Sequence, residues 1–203
     1  MKSIEDWRKE LLPSATKIAD TVLQYLPDDG VLIDAGANLG LVTELVLQRK
    51  PKATAILFEP LPMYAAICRK LTGNVAVHQT GLSDYSGSGI IYANNSNLGW
   101  NTLDATYAKQ NMTAYNVEIT RLDDILFDRI DVMKIDVESW EGKLLKGARK
   151  TIDTFKPVLI IELCYGSSKV EWKEKVIELE RLFSIGYKRV DYTTLPADIV
   201  LTI

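Results

Sequence analysis

At 203 residues, with 47% apolar and 25% charged residues, the chain has the material for one domain with a full core and is short for two ordinary ones. A net charge of −3 gives it no overall basic face, which speaks against nucleic acid as a partner. The N-terminal residues are too charged for a secretory signal, and no run approaches the roughly 20 apolar residues of a membrane span, so a soluble cytoplasmic protein without membrane contact is expected.

Apolar residues recur at helical spacing over residues 4–26 and are interrupted at Pro13, which predicts one or two helices on the flank of the domain, with a lid over a ligand as the functional alternative. Residues 31–40, VLIDAGANLG, then read as a strand, a glycine loop and the start of a helix over 39–48. The glycines fall two and six residues after Asp34, with Asn38 between them. That spacing does not meet the dinucleotide fingerprint, and no Lys-Ser/Thr pair makes a phosphate loop. A nicotinamide-dependent oxidoreductase or an ATP site is therefore disfavoured. An adenosine ligand without phosphate remains compatible with the loop.

Residues 53–58, ATAILF, predict a second strand that ends at Glu59. An acid about 20 residues past a glycine loop, at the carboxyl end of a strand, is placed to accept ribose hydroxyls. A helix over 60–71 and a strand over 75–78 follow, the latter closing in GLSD at 81–84. His78, the single histidine, lies at the end of that strand and reads as a packed residue rather than a general base. Cys68 and Cys164 lie far apart in apolar segments without metal-ligand spacing, so both are expected as buried, reduced thiols.

Residues 84–110 change character and are rich in Gly, Ser and Asn around a short apolar run at 90–93, which predicts a small hairpin and a loop. Asn97, Trp100 and Asn101 would suit a polar, hydroxylated substrate, and a plain surface excursion is the alternative. Strand alternation over 115–120 leads into a turn and short helix at 121–125.

The second informative stretch is IDVMKIDVESWEGKLLKG at 130–147, a strand that delivers Lys134, Asp136 and Glu138 to the edge shared with Asp34 and Glu59, followed by a helix ending at Gly147. Carboxylates so close together repel one another unless a cation or a proton intervenes. Residues 157–163, PVLIIEL, read as a central strand whose Glu162 should emerge at its tip beside Asp136. The charged amphipathic helix over 170–183 reads as a solvated outer face, and strands over 187–192 and 198–203 end the chain.

Alternating strands and helices with a terminal strand pair predict an α/β fold: a mostly parallel sheet, helices on both faces and one antiparallel C-terminal strand. The order resembles the seven-stranded, Rossmann-like class I fold of S-adenosylmethionine-dependent methyltransferases. DAGANLG at 34–40, FEPLP at 58–62, GLSD at 81–84 and KIDVESWEGKLLKGA at 134–148 are similar to successive motifs of the FkbM family. The resemblance implies that Asp34, Gly36, Asn38 and Gly40 hold the methionine end of S-adenosyl-L-methionine, that Glu59 takes its ribose, and that Ser83 or Asp84 lies by the adenine. Asp136 and Glu138, with Lys134 beside them, would face the transferred methyl and the acceptor. The family pattern commonly has glycine after the acid of the last motif, where this chain has Ser139-Trp140.

The expectation is a single methyltransferase domain over 1–203, with a helical segment at 1–28 and the catalytic core at 29–203. The resemblance implies O-methylation of a hydroxyl on a sugar or glycan, for instance a deoxysugar such as rhamnose or fucose. A small-molecule or macrolide-type acceptor is the alternative, and a non-catalytic Rossmann-like binding module the alternative of another class. A Mg²⁺ or Mn²⁺ ion held by Asp136 and Glu162 would lower the pKa of the acceptor hydroxyl. Oligomeric state is left open by the sequence.

Overall fold

A computed structural model describes residues 2–94, 101–106, 108, 111–163, 169–191 and 198–203. Helix α1 (Ile4–Tyr25) is followed by β1 (Val31–Ala35), α2 (Leu41–Arg49), β2 (Thr54–Phe58), α3 (Pro62–Cys68) and β3 (Asn74–His78). The short β4 (Gly81–Leu82) precedes β5 (Gly87–Asn94), β6 (Met112–Thr120) and a 3-10 turn at Leu122–Asp124. Then come β7 (Val132–Ile135), α4 (Glu141–Gly147), α5 (Arg149–Phe155), β8 (Val158–Glu162), α6 (Lys169–Ser184), β9 (Lys188–Asp191) and β10 (Asp198–Thr202).

Seven strands form one sheet in the order β3-β2-β1-β7-β8-β10-β9. The first five are parallel, and β10 runs antiparallel to both of its neighbours. This is the predicted doubly wound sheet with its one reversed strand at the C-terminus.

Strand alternation divides the core into two layers. Leu32, Val132, Ile160 and Val200 face α1 and α2, whereas Ile33, Met133, Leu159 and Ile161 face the other side with α4, α5 and α6 residues. Asp34 and Lys134 continue the first of these faces upward and are register partners across β1 and β7. The same register, carried one pair past Ile135 and Ile161, sets Asp136 beside Glu162. The parallel ladder thus collects the polar ends of one face at the carboxyl edge.

The chain departs from its sequence reading in several places. Pro13 does not interrupt α1, which is one continuous helix started by a Ser3–Asp6 capping box. The carbonyl that Pro13 leaves without a helical donor belongs to exposed Lys9, where water can replace it, while Trp7, Ala15, Ala19 and Val22 keep one buried stripe through the proline. Helix α3 is shorter than predicted at both ends, since the Leu61 amide is taken by the Glu59 carboxylate and Pro62 occupies the first turn. The predicted small hairpin is a long ribbon: β5 and β6 pair from Gly87 and Ile119 to Asn94 and Met112, and β4 adds parallel to β6.

Helix α6 overturns the reading of a solvated charged face. Glu171, Lys175, Glu178 and Leu182 point inward and are buried, while Val170, Trp172, Val176, Ile177 and Phe183 are exposed. The buried charges are met by partners on α4 and α5: Lys175 by Glu141, and Glu178 by Arg149. None of the described helices is long and apolar enough to cross a membrane.

Candidate active site

The glycine loop hangs from the tip of β2, because the Gly36 and Ala37 amides both donate to the Phe58 carbonyl, at 3.0 and 3.2 Å. Gly36 sits at φ +78, and a Cβ there would lie 1.8 Å from the Asp136 carbonyl oxygen. Only glycine permits that approach of the β1 loop to the β7 loop. Asn38 and Gly40 also have positive φ, and Gly40 caps α2.

The loop and four strand tips enclose a cavity of about 240 Å³. On the cofactor side expected from the sequence it is lined by Gly36, Asn38, Phe58 and Glu59. Asp136, Glu138 and Glu162 line it as well, with Asn101 and Leu103 from the ribbon connection. Leu11, Ser14, Ala15 and Ile18 of α1 form a further wall, so α1 is part of the site as well as of the flank.

Lys134 is the hub beneath this cavity. Its Nζ donates to the Gly36 carbonyl at 2.8 Å and lies 3.3 Å from Asp34 Oδ1 and 3.4 Å from Asp136 Oδ2. Burial opposes its charge, but Asp136 and Asp34 outweigh that and hold the ammonium above its ordinary pKa. Asp34 is wholly buried, and its second oxygen accepts from Thr43 Oγ1 at 2.7 Å.

The Glu59 carboxylate accepts from the amides of Asn38 at 2.9 Å and Leu61 at 2.8 Å, tying the glycine loop to the β2 tip. Burial nevertheless pushes it up to about 7. Asp136 moves the other way: burial raises it, yet Lys134 and a hydrogen bond with Glu162 hold it below the ordinary carboxyl range. A bond between two carboxyl groups requires one shared proton, which removes part of the repulsion expected from the sequence. Oxygens of Asp136, Glu138 and Glu162 all lie within 4.8 Å of one another, a grouping that fits a divalent cation.

The backbone over this acidic wall is strained, with Glu138 at φ +51 and Ser139 at φ +78. Ser139 thus occupies the position where the family pattern commonly has glycine, and it keeps the left-handed shape with a side chain. Two groups hold it there. The Glu141 carboxylate accepts from the Val137 and Ser139 amides at 3.3 and 3.1 Å, and Thr102 Oγ1 donates to the Glu138 carbonyl at 2.7 Å. Ser139→Gly should therefore raise stability by about 1 kcal/mol, read as a higher melting temperature.

Ser83 and Asp84 are not brought to the cavity, contrary to their expected place by the adenine. Ser83 is fully buried and accepts from Trp140 Nε1 at 3.1 Å, and a Cβ on Gly147 would meet its carbonyl at 1.8 Å. Close packing of α4 thus turns both residues away. Asp84 binds Lys146 at 2.7 Å, which holds its carboxyl low against the cost of burial. Thr80, Gly81 and Leu82, just before them, line the cavity instead. Asn97 and Trp100 lie outside the described residues, while Asn101 lines the cavity, bonds to buried Tyr64 and accepts from the Asn94 amide at 3.0 Å.

His78 stacks on Phe58 with ring centroids 4.9 Å apart and does not line the cavity. Cys68 is a free, buried thiol that donates to the Asn38 carbonyl, and burial pushes it up to about 12. Cys164 lies outside the described residues. Sequence reasoning missed the roles of Thr43, Tyr64, Thr102 and Glu141, because they depend on long-range packing that no local spacing marks, and it offered α1 as a cover of the ligand only as the alternative to a flanking helix.

The methyltransferase FkbM domain profile matches residues 34–194. Methyltransferase 1 of Beauveria bassiana is 25% identical over 192 residues, covering 82% of this chain and 77% of the relative. The 2-O-methyltransferase NoeI of Sinorhizobium fredii is 28% identical over 160 residues, covering 68% of this chain and 66% of its own length. The crystal structure of methyltransferase FkbM from Methylobacillus flagellatus superposes with a TM-score of 0.58 at 16% identity, over 97% of this chain and 60% of that one. Glycine loop, strand-tip acids and seven-stranded sheet agree with that match, and the chain belongs to the FkbM family of methyltransferases, which implies S-adenosylmethionine as methyl donor.

Proposed function

We propose that the chain transfers a methyl group from S-adenosylmethionine to a hydroxyl of a sugar or glycan. The observation that carries this reading is that the glycine loop and Glu59 line the same cavity as the carboxylate group Asp136, Glu138 and Glu162. Similarity to a 2-O-methyltransferase supports oxygen as the acceptor atom.

When bound, S-adenosylmethionine supplies an electrophilic methyl on a sulfonium. Transfer of that methyl to the acceptor oxygen would break its bond to sulfur, leave a thioether and release the hydroxyl proton. The residues have to align the acceptor oxygen and remove its proton. Gly36 and Asn38 hold the methionine end and Glu59 accepts from the ribose. Asp34 and Gly40, which do not line the cavity, shape the loop from beneath, Asp34 through Lys134 and Thr43 and Gly40 at the start of α2. Asp136, kept ionised by Lys134, aligns the acceptor hydroxyl and takes its proton, with Glu138 and Asn101 beside it.

Glu59 gives this reading a pH dependence. A carboxylate accepts two ribose donors where the protonated acid does not, so affinity for S-adenosylhomocysteine should rise by about tenfold from pH 6 to pH 8 as Glu59 ionises near 7. Glu59→Gln should weaken binding and flatten the profile, as measured by calorimetry. Asp136→Ala should retain binding and stop turnover over a panel of free sugars and glycans. Full activity in that variant would contradict its role.

A second reading is favoured by the three carboxylate oxygens within 4.8 Å: Asp136 and Glu162 would hold Mg²⁺ or Mn²⁺, a Lewis acid that would lower the pKa of the acceptor hydroxyl. Activity abolished by EDTA and restored by either ion would select it over the metal-free route.

A further inference from the structure

Leu11, Ser14, Ala15 and Ile18 fall at i, i+3, i+4 and i+7 of α1 and form one stripe of the helix along the cavity. Ile18 differs from its neighbours on the helix. Ala15, Ala19 and Val22 are buried in the core, whereas Ile18 packs against that core and stays partly exposed, so that apolar surface is left to the cavity it lines.

An adjoining recess of about 10 Å³ shows what Ile18 is next to, since it is lined by Ile18, Lys134, Ile135, Asp136, Ile160 and Glu162. Around Asp136 and Glu162, then, the uncharged surface is isoleucine. A hydroxyl that reacts there can bond to a carboxylate, but the acceptor atoms beside it that meet Ile18 find neither donor nor acceptor. A second hydroxyl pressed on that side chain would lose its bonds to water without replacement. The wall is also fixed: besides its buried stripe, α1 is tied to α2 by the ion pairs Arg8–Glu44 and Asp20–Arg49. The family match begins at residue 34, so this wall comes from a segment outside the matched stretch, where acceptor preference can vary while the cofactor loop is kept.

We propose that Ile18 is a specificity-determining residue of the acceptor site, selecting acceptors that carry a C–H or methyl group rather than a hydroxyl next to the oxygen that is methylated. This rests on the methyl-transfer reading above and adds to it which side chain reads the neighbourhood of the reacting oxygen.

Rates of methyl transfer from S-adenosylmethionine to methyl glycosides of hexoses, each paired with its monodeoxy counterparts, test this. Wild type should favour the best deoxy acceptor over its parent by about tenfold or more in kcat/KM, the scale on which an apolar contact rejects an added hydroxyl. Ile18→Asn, which offers a donor and an acceptor at the same place, should bring that ratio to near one, chiefly through KM. Its affinity for S-adenosylhomocysteine, read by calorimetry, should stay at the wild-type value, and Ile18→Val should keep the wild-type preference. A side chain that only supports the fold would lower the rate on both members of a pair and leave their ratio alone. A ratio unchanged in Ile18→Asn, or a wild type that prefers the parent hexoses, overturns the proposal while the methyltransferase reading stands. A wild type that binds S-adenosylhomocysteine and methylates no sugar contradicts the sugar-acceptor reading, and the proposal falls with it.

Discussion

Lys134→Met should cost about 3–5 kcal/mol of folding stability, measured by urea denaturation, the cost of stranding one partner of a buried pair. The value is large because a single ammonium serves three acceptors. Without it, the wholly buried Asp34 has only the Thr43 hydroxyl, Asp136 loses its positive neighbour, and the Gly36 carbonyl loses its donor. Methionine fills similar volume without charge, so the loss reads out electrostatics rather than a cavity. Adding Asp34→Asn should recover part of the stability by removing the stranded charge. A single-variant loss below about 1 kcal/mol would remove Lys134 from its place as hub.

Lys175→Met should be of comparable size, about 3–5 kcal/mol, since Lys175 and Glu141 are both almost completely buried and lie 2.5 Å apart. The double variant Glu141→Leu/Lys175→Met separates two roles of this pair. Removing both charges should return much of the stability, as apolar replacement of buried pairs often does. It should not return activity. Glu141 also holds the Val137 and Ser139 amides, and with it gone the strained turn that carries Glu138 has no carboxylate to retain its left-handed backbone. A double variant with wild-type turnover would show that the turn keeps its shape without Glu141.

The sheet was legible in the sequence because each strand carries its own signal: an apolar run of four to six residues, and a polar residue where the run meets the edge. Asp34, Glu59, Asp136 and Glu162 were found in this way, and parallel register then made neighbours of Asp136 and Glu162. What escaped was decided by contacts between distant segments. Pro13 breaks helices in isolation, but here its unmade bond faces solvent while the buried stripe continues beneath it. The charges of α6 looked solvated because local sequence does not reveal that Glu141 and Arg149 wait on neighbouring helices. Ser83 and Asp84 lie in the expected motif, yet the approach of Gly147 directs them at α4 rather than at the cavity.

In the proposed function one cavity holds the adenosine cofactor at Glu59 and the glycine loop, and the acceptor at Asp136. Calorimetric titration of wild type, Glu59→Gln and Asp136→Ala with S-adenosylhomocysteine tests it most directly. Wild type should bind with a Kd on the order of 10 µM, with a marked loss for Glu59→Gln and near-wild-type affinity for Asp136→Ala. Binding that is unchanged by Glu59→Gln, or absent from wild type below about 100 µM, would contradict it.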